Sequence, residues 1–243
     1  MELLNGWQYY EYDEVASTND TIKEYCTTKG LKVIVKANLQ TAGRGRRGRS
    51  WLGVEGNLFF SLALETGLTN ISRLVLISGL SLLKTIRYFS NTINVKIKWP
   101  NDILIEGCKV SGILLEKAQG DYFIIGIGVN IVGSPKEVDT LYNITSLAEN
   151  NVDVSSDEFL RRFIDIFTDN LEKYENENFE ILRQEWLENA VGIGQQIIVR
   201  QENQSEKKGV FIDLDENANL LLETANGIQK ITAGDVFIGD ENE

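Results

Sequence analysis

Apolar residues recur along this chain with two spacings, one typical of strands and the other typical of helices. Short runs rich in β-branched and aromatic residues predict strands at 7–12, 31–37, 57–65, 95–98, 109–118 and 122–130. The last two runs are separated by a short polar turn, so we expect them to pair as neighbours. Helical spacing predicts a long helix over 71–90 with Asn70 as its cap. A shorter helix is expected to begin after Ser17 and to end near Lys29.

The second half of the chain contains two segments of different composition, an acidic one with helical spacing and one with short strands. Residues 137–189 are strongly acidic, and Ser155 with Glu158 forms a capping-box pattern ahead of an apolar helical face. A second helix is expected to follow. From Gly192 onward, short strands separated by Asn, Asp and Gly turns indicate a small β-barrel. The sequence therefore predicts an α+β protein with two domains, at residues 1–189 and 190–243.

Composition narrows the chemistry that the chain can perform. The 243 residues include 24 Lys and Arg against 36 Asp and Glu, a net charge of −12, which disfavours a general nucleic-acid binder. Histidine is absent, which excludes Ser-His-Asp and Cys-His catalysis and histidine-bound zinc. Cys26 and Cys108 lie far apart, in no metal-binding spacing. Without a signal peptide or a long apolar run, the sequence predicts a cytoplasmic protein with no membrane partner.

One segment, TAGRGRRGRSW at 41–51, is basic in an otherwise acidic chain. Its four arginines, interleaved with glycines, are Arg44, Arg46, Arg47 and Arg49. Glycine lets the backbone wrap around a ligand and arginine supplies paired donors, so the segment suits an anion clamp. A solvated loop tip or a nucleic-acid patch is the alternative. The spacing approaches that of a phosphate-binding P-loop, but Arg49 replaces the required lysine, and Gly53 and Gly56 disfavour the helix that must follow.

Three shorter strings carry further candidate chemistry. KWPNDIL, at 98–104, places polar groups at a bend, where Asp102 could hold Mg²⁺ or orient a cationic partner; a plain hairpin turn is the alternative. KVSGILLE, at 109–116, contains Gly112, which would let a flat ligand approach the strand, although a strand with an edge lysine explains the string as well. GIGVN, at 126–130, lacks the final glycine of a dinucleotide-binding motif.

Taken in order, these strings resemble those of the biotin protein ligase family. The matching strings are Ser17-Thr18-Asn19, Gln40 with GRGRRGRSW, KWPNDIL, KVSGILLE and GIGVN. The resemblance is strong over 7–135 and weaker over the C-terminal strands. It implies a mixed sheet flanked by helices, like the catalytic domain of class II aminoacyl-tRNA synthetases, followed by a small SH3-like β-barrel.

The same resemblance implies a reaction in two steps. The biotin carboxylate attacks ATP to give biotinyl-5′-AMP, and a lysine of a biotin carboxyl carrier protein then takes the biotinyl group and expels AMP. Fixed cations and Mg²⁺ suffice for this chemistry, which needs no histidine. The implied ligands and partners are biotin, ATP, Mg²⁺ and the carrier protein, with the ligase as a monomer or a homodimer.

The resemblance also implies a role for each matched residue. Those implied to bind biotin are Ser17, Thr18, Asn19, Gln40, Arg44, Gly45, Arg46, Lys109 and Gly112. Those implied to bind the nucleotide are Arg49, Trp51, Lys98, Asn101 and Asn130. The implied catalytic residues are Arg44, Arg46, Lys109 and Asp102, with Asp102 placed either at Mg²⁺ or at an arginine of the loop.

Two other functions compete with this interpretation. A lipoate or octanoate ligase or transferase of the same fold is one, but its usual motif contains histidine, which this chain lacks. A nucleic-acid-binding module that uses the Arg/Gly segment is the other, and it predicts salt-sensitive binding without biotin. Many family members carry an N-terminal helix-turn-helix, yet only sixteen residues precede Ser17, so operator DNA binding is not expected.

Overall fold

The computed structural model describes residues 2–26, 30–68, 70–135, 143–176, 178–202 and 204–239. Its larger part is a mixed sheet with helices. The strands are β1 (Glu2–Leu4), β2 (Trp7–Val15), β3 (Val33–Gln40), β4 (Leu58–Glu65), β5 (Val95–Lys98), β6 (Asp102–Ile105), β7 (Cys108–Lys117) and β8 (Tyr122–Val129). The helices are α1 (Thr18–Thr21), α2 (Ser72–Phe89), α3 (Ser156–Asn176) and α4 (Phe179–Glu188).

The eight strands lie in the order β1-β2-β3-β4-β8-β7-β6-β5. β2 and β3 run parallel, and the other neighbouring pairs are antiparallel, so the sheet is mixed as expected. β7 and β8 pair as neighbours, with Ile113 opposite Ile127, which confirms the hairpin predicted from the turn between them.

Alternation along β4 gives the sheet two different faces. Leu58, Phe60 and Leu62 are fully buried in the main hydrophobic core, where the Phe60 ring meets Phe163 of α3 at 5.2 Å between centroids. The intervening residue Ser61 points to the opposite face and contacts α1. The helix-covered face therefore supplies the main core, and the face that carries α1 combines a smaller apolar cluster, which includes Ala63, with polar side chains such as Ser61.

The C-terminal part is a second, antiparallel sheet. Its strands are β9 (Gln196–Arg200), β10 (Glu206–Leu214), β11 (Leu220–Thr224), β12 (Gly227–Ile231) and β13 (Asp235–Ile238), in the order β12-β11-β10-β9-β13. Phe211 and Leu220 belong to the same buried cluster as Trp99 of the larger part, and Trp99 Nε1 donates to the carbonyl of Ala218 at 3.0 Å. One continuous core thus joins the two sheets.

Several local predictions are confirmed by hydrogen bonds. Ser155 and Glu158 exchange the two bonds of a capping box, at 3.1 and 3.2 Å, ahead of α3. Asn70 Oδ1 accepts from the backbone amide of Ser72 at 2.9 Å, at the start of α2. None of the described helices is long and apolar enough to cross a membrane.

Other local predictions need correction. The helix expected to run from Ser17 to about Lys29 ends at Thr21, and a single 3₁₀ turn, Ile22–Tyr25, follows it. The backbone tightens there because Ile22 and Cys26 turn inward and pack in a small buried cluster against β3 and β8; residues 27–29 lie outside the described part. β1 and β6 were not predicted. β6 forms a hairpin with β5, which confirms that the backbone of KWPNDIL makes the hairpin turn considered above.

Candidate active site

The predicted functional residues converge on one cavity of about 270 Å³, on the sheet face that carries α1. The predicted residues that line it are Ser17, Thr18, Asn19, Gln40, Arg44, Gly45, Arg46, Arg49, Trp51, Asn101, Asp102, Lys109, Gly112 and Asn130. Lys98 is the one predicted residue that does not line it. Apolar residues and glycines that no motif had singled out as ligand contacts complete the wall, among them Leu52, Ile113, Ile127 and Gly128.

One end of the cavity is formed by four small neutral side chains, Ser17, Thr18, Asn19 and Gln40, here named the hydroxyl–amide cluster. The backbone amide and the hydroxyl of Thr18 donate to Gln40 Oε1 at 2.8 and 3.1 Å. Since a backbone N–H only donates, this contact fixes the Gln40 amide with its oxygen toward Thr18. Ser17, Thr18 and Asn19 are each at most 4% exposed. These side chains are therefore held in place by the protein itself.

Asn19 is held from three sides. Ser61 Oγ donates to Asn19 Oδ1 at 2.6 Å, and Asn19 Nδ2 donates to Glu116 Oε2 at 2.9 Å. A Cβ on Gly126 would overlap the Asn19 amide, so glycine is required at this position of β8. The first glycine of GIGVN thus makes room for Asn19. Sequence reasoning missed Ser61, which no motif marks, and gave no role to Glu116, the last residue of the matched string KVSGILLE. Neither residue lines the cavity, and both meet Asn19 from distant segments.

The other end of the cavity is formed by Arg44, Gly45, Arg46 and Arg49, which belong to the segment 44–49, here named the arginine loop. Arg44 donates to both carboxylate oxygens of Asp20, and its Nη2 lies 3.6 Å from Glu116 Oε1. The hydrogen bond from Arg44 holds the pKa of the Asp20 carboxyl well below its usual value. The Arg44 side chain remains 39% exposed, so its charge is available at the rim of the cavity.

Arg46 reaches across to the turn between β5 and β6. Its Nη1 donates to Asn101 Oδ1 at 2.9 Å, and Asn101 Nδ2 donates to the carbonyl of Ile113 at the same distance. Burial lowers the pKa of Arg46 from its usual value, but a guanidinium stays protonated in proteins. Asn101, expected at the nucleotide, holds Arg46 against β7 in this structure.

The remaining two arginines of the loop meet the C-terminal sheet. Arg47 Nη1 lies 2.7 Å and Arg49 Nη2 lies 2.9 Å from the two carboxylate oxygens of Asp235, at the start of β13. Arg47 adopts a φ of 58°, a left-handed conformation that is uncommon for a residue with a side chain. This single carboxylate therefore ties the middle and the end of the loop to the second sheet.

Lys109 and Trp51 lie between the two ends. Lys109 Nζ is 2.7 Å from Asp102 Oδ1 and 5.4 Å from the centroid of the Trp51 ring. A Cβ on Gly112 would lie 2.9 Å from the Trp51 ring, and a Cβ on Gly128 would overlap it. The close approach expected at Gly112 is therefore made by the Trp51 indole, which packs flat over both glycines in this structure.

Lys98 is buried beneath the arginine loop. It is 6% exposed, lies opposite Asp102 in the β5–β6 pair, and has its Nζ 5.8 Å from the centroid of the Phe237 ring. Burial lowers its pKa to about 7, and the opposing attraction of Asp102 is smaller. Lys98 thus stands behind the cavity wall, next to the cations that line it.

Asn130 holds the segment that follows β8. Its Nδ2 donates to the carbonyl of Thr145 at 3.0 Å, and its Oδ1 accepts from Asn57 Nδ2 at 3.4 Å. Asn57 Oδ1 in turn accepts from the backbone amides of Ile131 and Val132 at 2.9 and 3.0 Å. Asn57 was not predicted, because a single asparagine before a strand carries no distinctive spacing.

The described residues offer few metal ligands. Among them, no group of three or more Cys, Asp or Glu residues could hold a metal ion. Asp102 is the one acidic side chain, of the residues that the structure describes, that lines the cavity. Asp102 was expected either at Mg²⁺ or at an arginine of the loop. In this structure its carboxylate forms an ion pair with Lys109.

Comparison with known proteins agrees with this geometry. Residues 13–130 match the model of the biotin/lipoate A/B protein ligase family, and residues 192–239 match that of the biotin protein ligase C-terminal domain. The biotin–[acetyl-CoA-carboxylase] ligase of Paracoccus denitrificans is 33% identical over 216 residues, which cover 84% of this chain and 90% of that protein. The bifunctional ligase/repressor of Bacillus subtilis is 32% identical over 96% of this chain and 75% of its own length.

A solved structure extends the likeness to three dimensions. The biotin protein ligase of Aquifex aeolicus, in complex with biotin and ATP, superposes with a TM-score of 0.81 at 30% identity. The match covers 96% of this chain and 98% of that one. Sequence, fold and residue order agree over nearly the whole length, so the chain belongs to the biotin protein ligase family.

Proposed function

We propose that the chain is an ATP-dependent ligase that activates biotin and transfers it to a lysine of a biotin carboxyl carrier protein. One observation carries the proposal: a single cavity joins a buried cluster of neutral hydrogen-bonding groups to a set of cations around one carboxylate. A ligand with an uncharged polar ring at one end and a carboxylate at the other fits that division. Biotin has this chemistry.

The first step joins two anions. A carboxylate oxygen of biotin attacks the α-phosphorus of ATP, the bond between that phosphorus and the β-bridging oxygen breaks, and pyrophosphate leaves. Arg44, Arg46 and Lys109 are proposed to surround the carboxylate and the α-phosphate, because their cations lie on the cavity wall. Such fixed charges stabilise the transition state without having to reorganise during the reaction.

The second step transfers the acyl group. The amine nitrogen of the carrier lysine attacks the acyl carbonyl of biotinyl-5′-AMP, the bond from that carbon to the phosphate oxygen breaks, and AMP and one proton are released. The same cations would stabilise the AMP that leaves. Since the mixed anhydride reacts with water, a cavity closed by the arginine loop and Trp51 would protect it.

The remaining roles divide between the two ends of the cavity. Ser17, Thr18, Asn19 and Gln40 are proposed to hydrogen-bond the ureido ring, with Gly45 allowing close approach. Gly112 was also expected at biotin, but the Trp51 indole covers it in this structure. Arg49, Lys98, Asn101 and Asn130 are proposed to serve the nucleotide, and Trp51 to stack on its base. For Asn101 the support is indirect, since its amide holds Arg46.

Mg²⁺ is proposed to enter with ATP. The ion commonly takes one or two protein carboxylates together with substrate phosphates, and Asp102 offers one carboxylate on the cavity wall. Mg²⁺ would neutralise charge on the transferring phosphates. Asp102 would also keep Lys109 in place, since the two form an ion pair at 2.7 Å.

The finer assignments of fold and setting belong to the same proposal. We take residues 1–189 as a catalytic domain of the class II synthetase type and residues 190–243 as an SH3-like domain. A cytoplasmic enzyme, acting as a monomer or a homodimer, is consistent with the free thiols of Cys26 and Cys108.

The direct test supplies the chain with biotin, Mg-ATP and a carrier domain, and detects biotinylated carrier with streptavidin. We expect a product that requires every component, and biotin-dependent exchange of label between pyrophosphate and ATP. Lipoate and octanoate should support no exchange. Exchange with lipoate but not with biotin would replace this proposal by the lipoate alternative.

A nucleic-acid-binding role is less well supported. Arg44, Arg47 and Arg49 all pair with carboxylates of the same chain, so their charges are already partly neutralised. Retention on single-stranded or double-stranded nucleic acid at low salt, without biotin, would favour that alternative.

A further inference from the structure

Glu116 lies on β7 just outside the cavity and contacts both ends of the proposed biotin site. Its Oε2 accepts from Asn19 Nδ2 at 2.9 Å, and its Oε1 lies 3.6 Å from Arg44 Nη2. Asn19 belongs to the hydroxyl–amide cluster and Arg44 to the arginine loop. One carboxylate therefore bridges a neutral group expected at the ring of biotin and a cation expected at its carboxylate.

The contact with Glu116 decides which way the Asn19 amide points. An ionised carboxylate only accepts hydrogen bonds, so the group that faces it must be the amide nitrogen. On the opposite side, Ser61 Oγ lies 2.6 Å from Asn19 Oδ1 and donates to it. A flipped amide would set its oxygen against the Glu116 carboxylate, which is costly at a largely buried position, whereas the Ser61 hydroxyl can donate or accept and so bonds the amide in either orientation.

The surroundings leave Asn19 no other conformation of similar quality. Asn19 is 4% exposed, Ser61 is fully buried, and the Asn19 amide packs directly on the backbone of Gly126. Water cannot replace a lost partner easily at such a place. The orientation of the amide therefore depends on Glu116, while Ser61 holds the amide from the other side.

We infer that Glu116 is a positioning residue for biotin: it fixes the Asn19 amide in the orientation that the ureido ring meets, and it helps to hold Arg44 beside it. This inference rests on the proposed function. Glu116 itself does not line the cavity, so it acts through its two neighbours. Ser61 is its counterpart on the other side of Asn19.

The test compares Glu116→Ala with Glu116→Gln. We expect Glu116→Ala to raise the Kd for biotin about tenfold, as the loss of a partly buried hydrogen bond to a charged group does, with the KM for ATP within twofold of wild type. Glu116→Gln keeps an acceptor for Asn19, so it should recover a large part of the affinity. Calorimetry with biotin alone gives the Kd, and pyrophosphate exchange at saturating biotin gives the KM. The Glu116 side chain is 28% exposed, so neither variant should affect folding.

Asp20→Asn is the matched control. It also removes one carboxylate from Arg44, but the Asp20 carboxylate makes no contact with the Asn19 amide in the described hydrogen bonds. We expect a smaller rise in the Kd for biotin than in Glu116→Ala. A rise as large as that of Glu116→Ala would show that the charge on Arg44 matters and the Asn19 amide does not, and would overturn the inference.

Ser61→Ala provides an independent variant. It removes the contacts of Ser61 Oγ with Asn19 Oδ1 and with Thr18 Oγ1, so it should also weaken biotin binding. Combined with Glu116→Ala, the loss should be less than the product of the two single losses, because both residues hold one amide. Independent effects that multiply would contradict the inference, as would an unchanged Kd for biotin in Glu116→Ala. Wild-type protein that binds no biotin would overturn the proposed function and this inference with it.

Discussion

The two ends of the cavity are built in opposite ways. The hydroxyl–amide cluster is uncharged and mostly buried, and hydrogen bonds of 2.6–3.1 Å join Thr18 to Gln40 at the end of β3 and Asn19 to Ser61 on β4. The arginine loop is charged and partly exposed, and carboxylates from two separate regions hold it: Asp20 in α1 and Asp235 on the second sheet. One end is thus fixed by partners that water cannot replace, and the other by ion pairs that a second anion can replace.

This difference suits the two halves of the proposed ligand. A neutral ring is recognised by donors and acceptors in fixed directions, which buried hydrogen bonds preserve. A carboxylate and a phosphate chain are recognised by cations, and those cations would repel one another without an anion between them. Asp20 and Asp235 supply that anion from the protein. The Arg44–Asp20 pair is exposed, and exposed ion pairs contribute little to stability and are screened by salt, so exchanging that pair for a ligand costs little.

The largest effect is expected at the charged end, for Lys109→Ala. The change removes a cation from between the proposed carboxylate and α-phosphate, so biotin-dependent pyrophosphate exchange should fall on the order of 10²–10³-fold. Binding of biotin alone should change far less, because the hydroxyl–amide cluster is untouched. Lys117→Ala, at an exposed lysine near the end of the same strand, is the control and should be near wild type. Near-normal exchange in Lys109→Ala would remove Lys109 from the reaction.

A smaller effect is expected for Asp235→Asn, which releases Arg47 and Arg49 together. Backbone amide exchange over residues 44–50 should become about tenfold faster, because the loop loses its contact with the second sheet. Exchange at residues 17–19 should stay the same. Added salt should act on the wild-type loop in the same direction.

The control for this prediction is Asp213→Asn. Asp213 pairs with Arg183, away from the cavity, so that variant should leave both segments unchanged. Equal acceleration at 17–19 and 44–50 in Asp235→Asn would show that the two ends are not independent, and the contrast drawn between them would be wrong.

The sequence predicts much of the arginine loop. It predicts little of the hydrogen-bond network that holds the hydroxyl–amide cluster. Four arginines among glycines stand out in an acidic chain, so the loop is visible as local composition. Ser61 and Asp235 are ordinary residues on strands, and each meets its partner only because the fold brings distant segments together. Glu116 ends the matched string KVSGILLE, but its partner Asn19 is equally distant along the chain. Spacing along the chain carries no signal for such contacts.

The fold shows the same limit. Strand positions followed from β-rich runs, and the capping box located the start of α3. The parallel pairing of β2 with β3 and the position of β8 beside β4 depend on contacts between distant segments, which local sequence patterns do not determine. The early end of α1 is a similar case. Ile22 packs in a buried cluster just after the helix, and the capping residues at the start of the segment do not predict that packing.

The smallest expected effect is on how the free energy of unfolding depends on pH. It involves only the charged side of the site, because the hydroxyl–amide cluster contains no titratable group. Burial lowers the pKa of Lys98 to about 7, below its value in the unfolded chain. Between about pH 7 and 10.5 the unfolded chain therefore binds more protons, so this lysine makes the free energy of unfolding rise with pH; below pH 7 the cost of burying the cation is fully present.

Lys98→Met removes that cost and should stabilise the protein more at pH 6.5 than at pH 9, by a difference on the order of 1 kcal/mol. Denaturant unfolding at both pH values measures it, with Lys96→Met, on the same strand, as the control. A stabilisation equal at both pH values would show that Lys98 keeps its proton throughout.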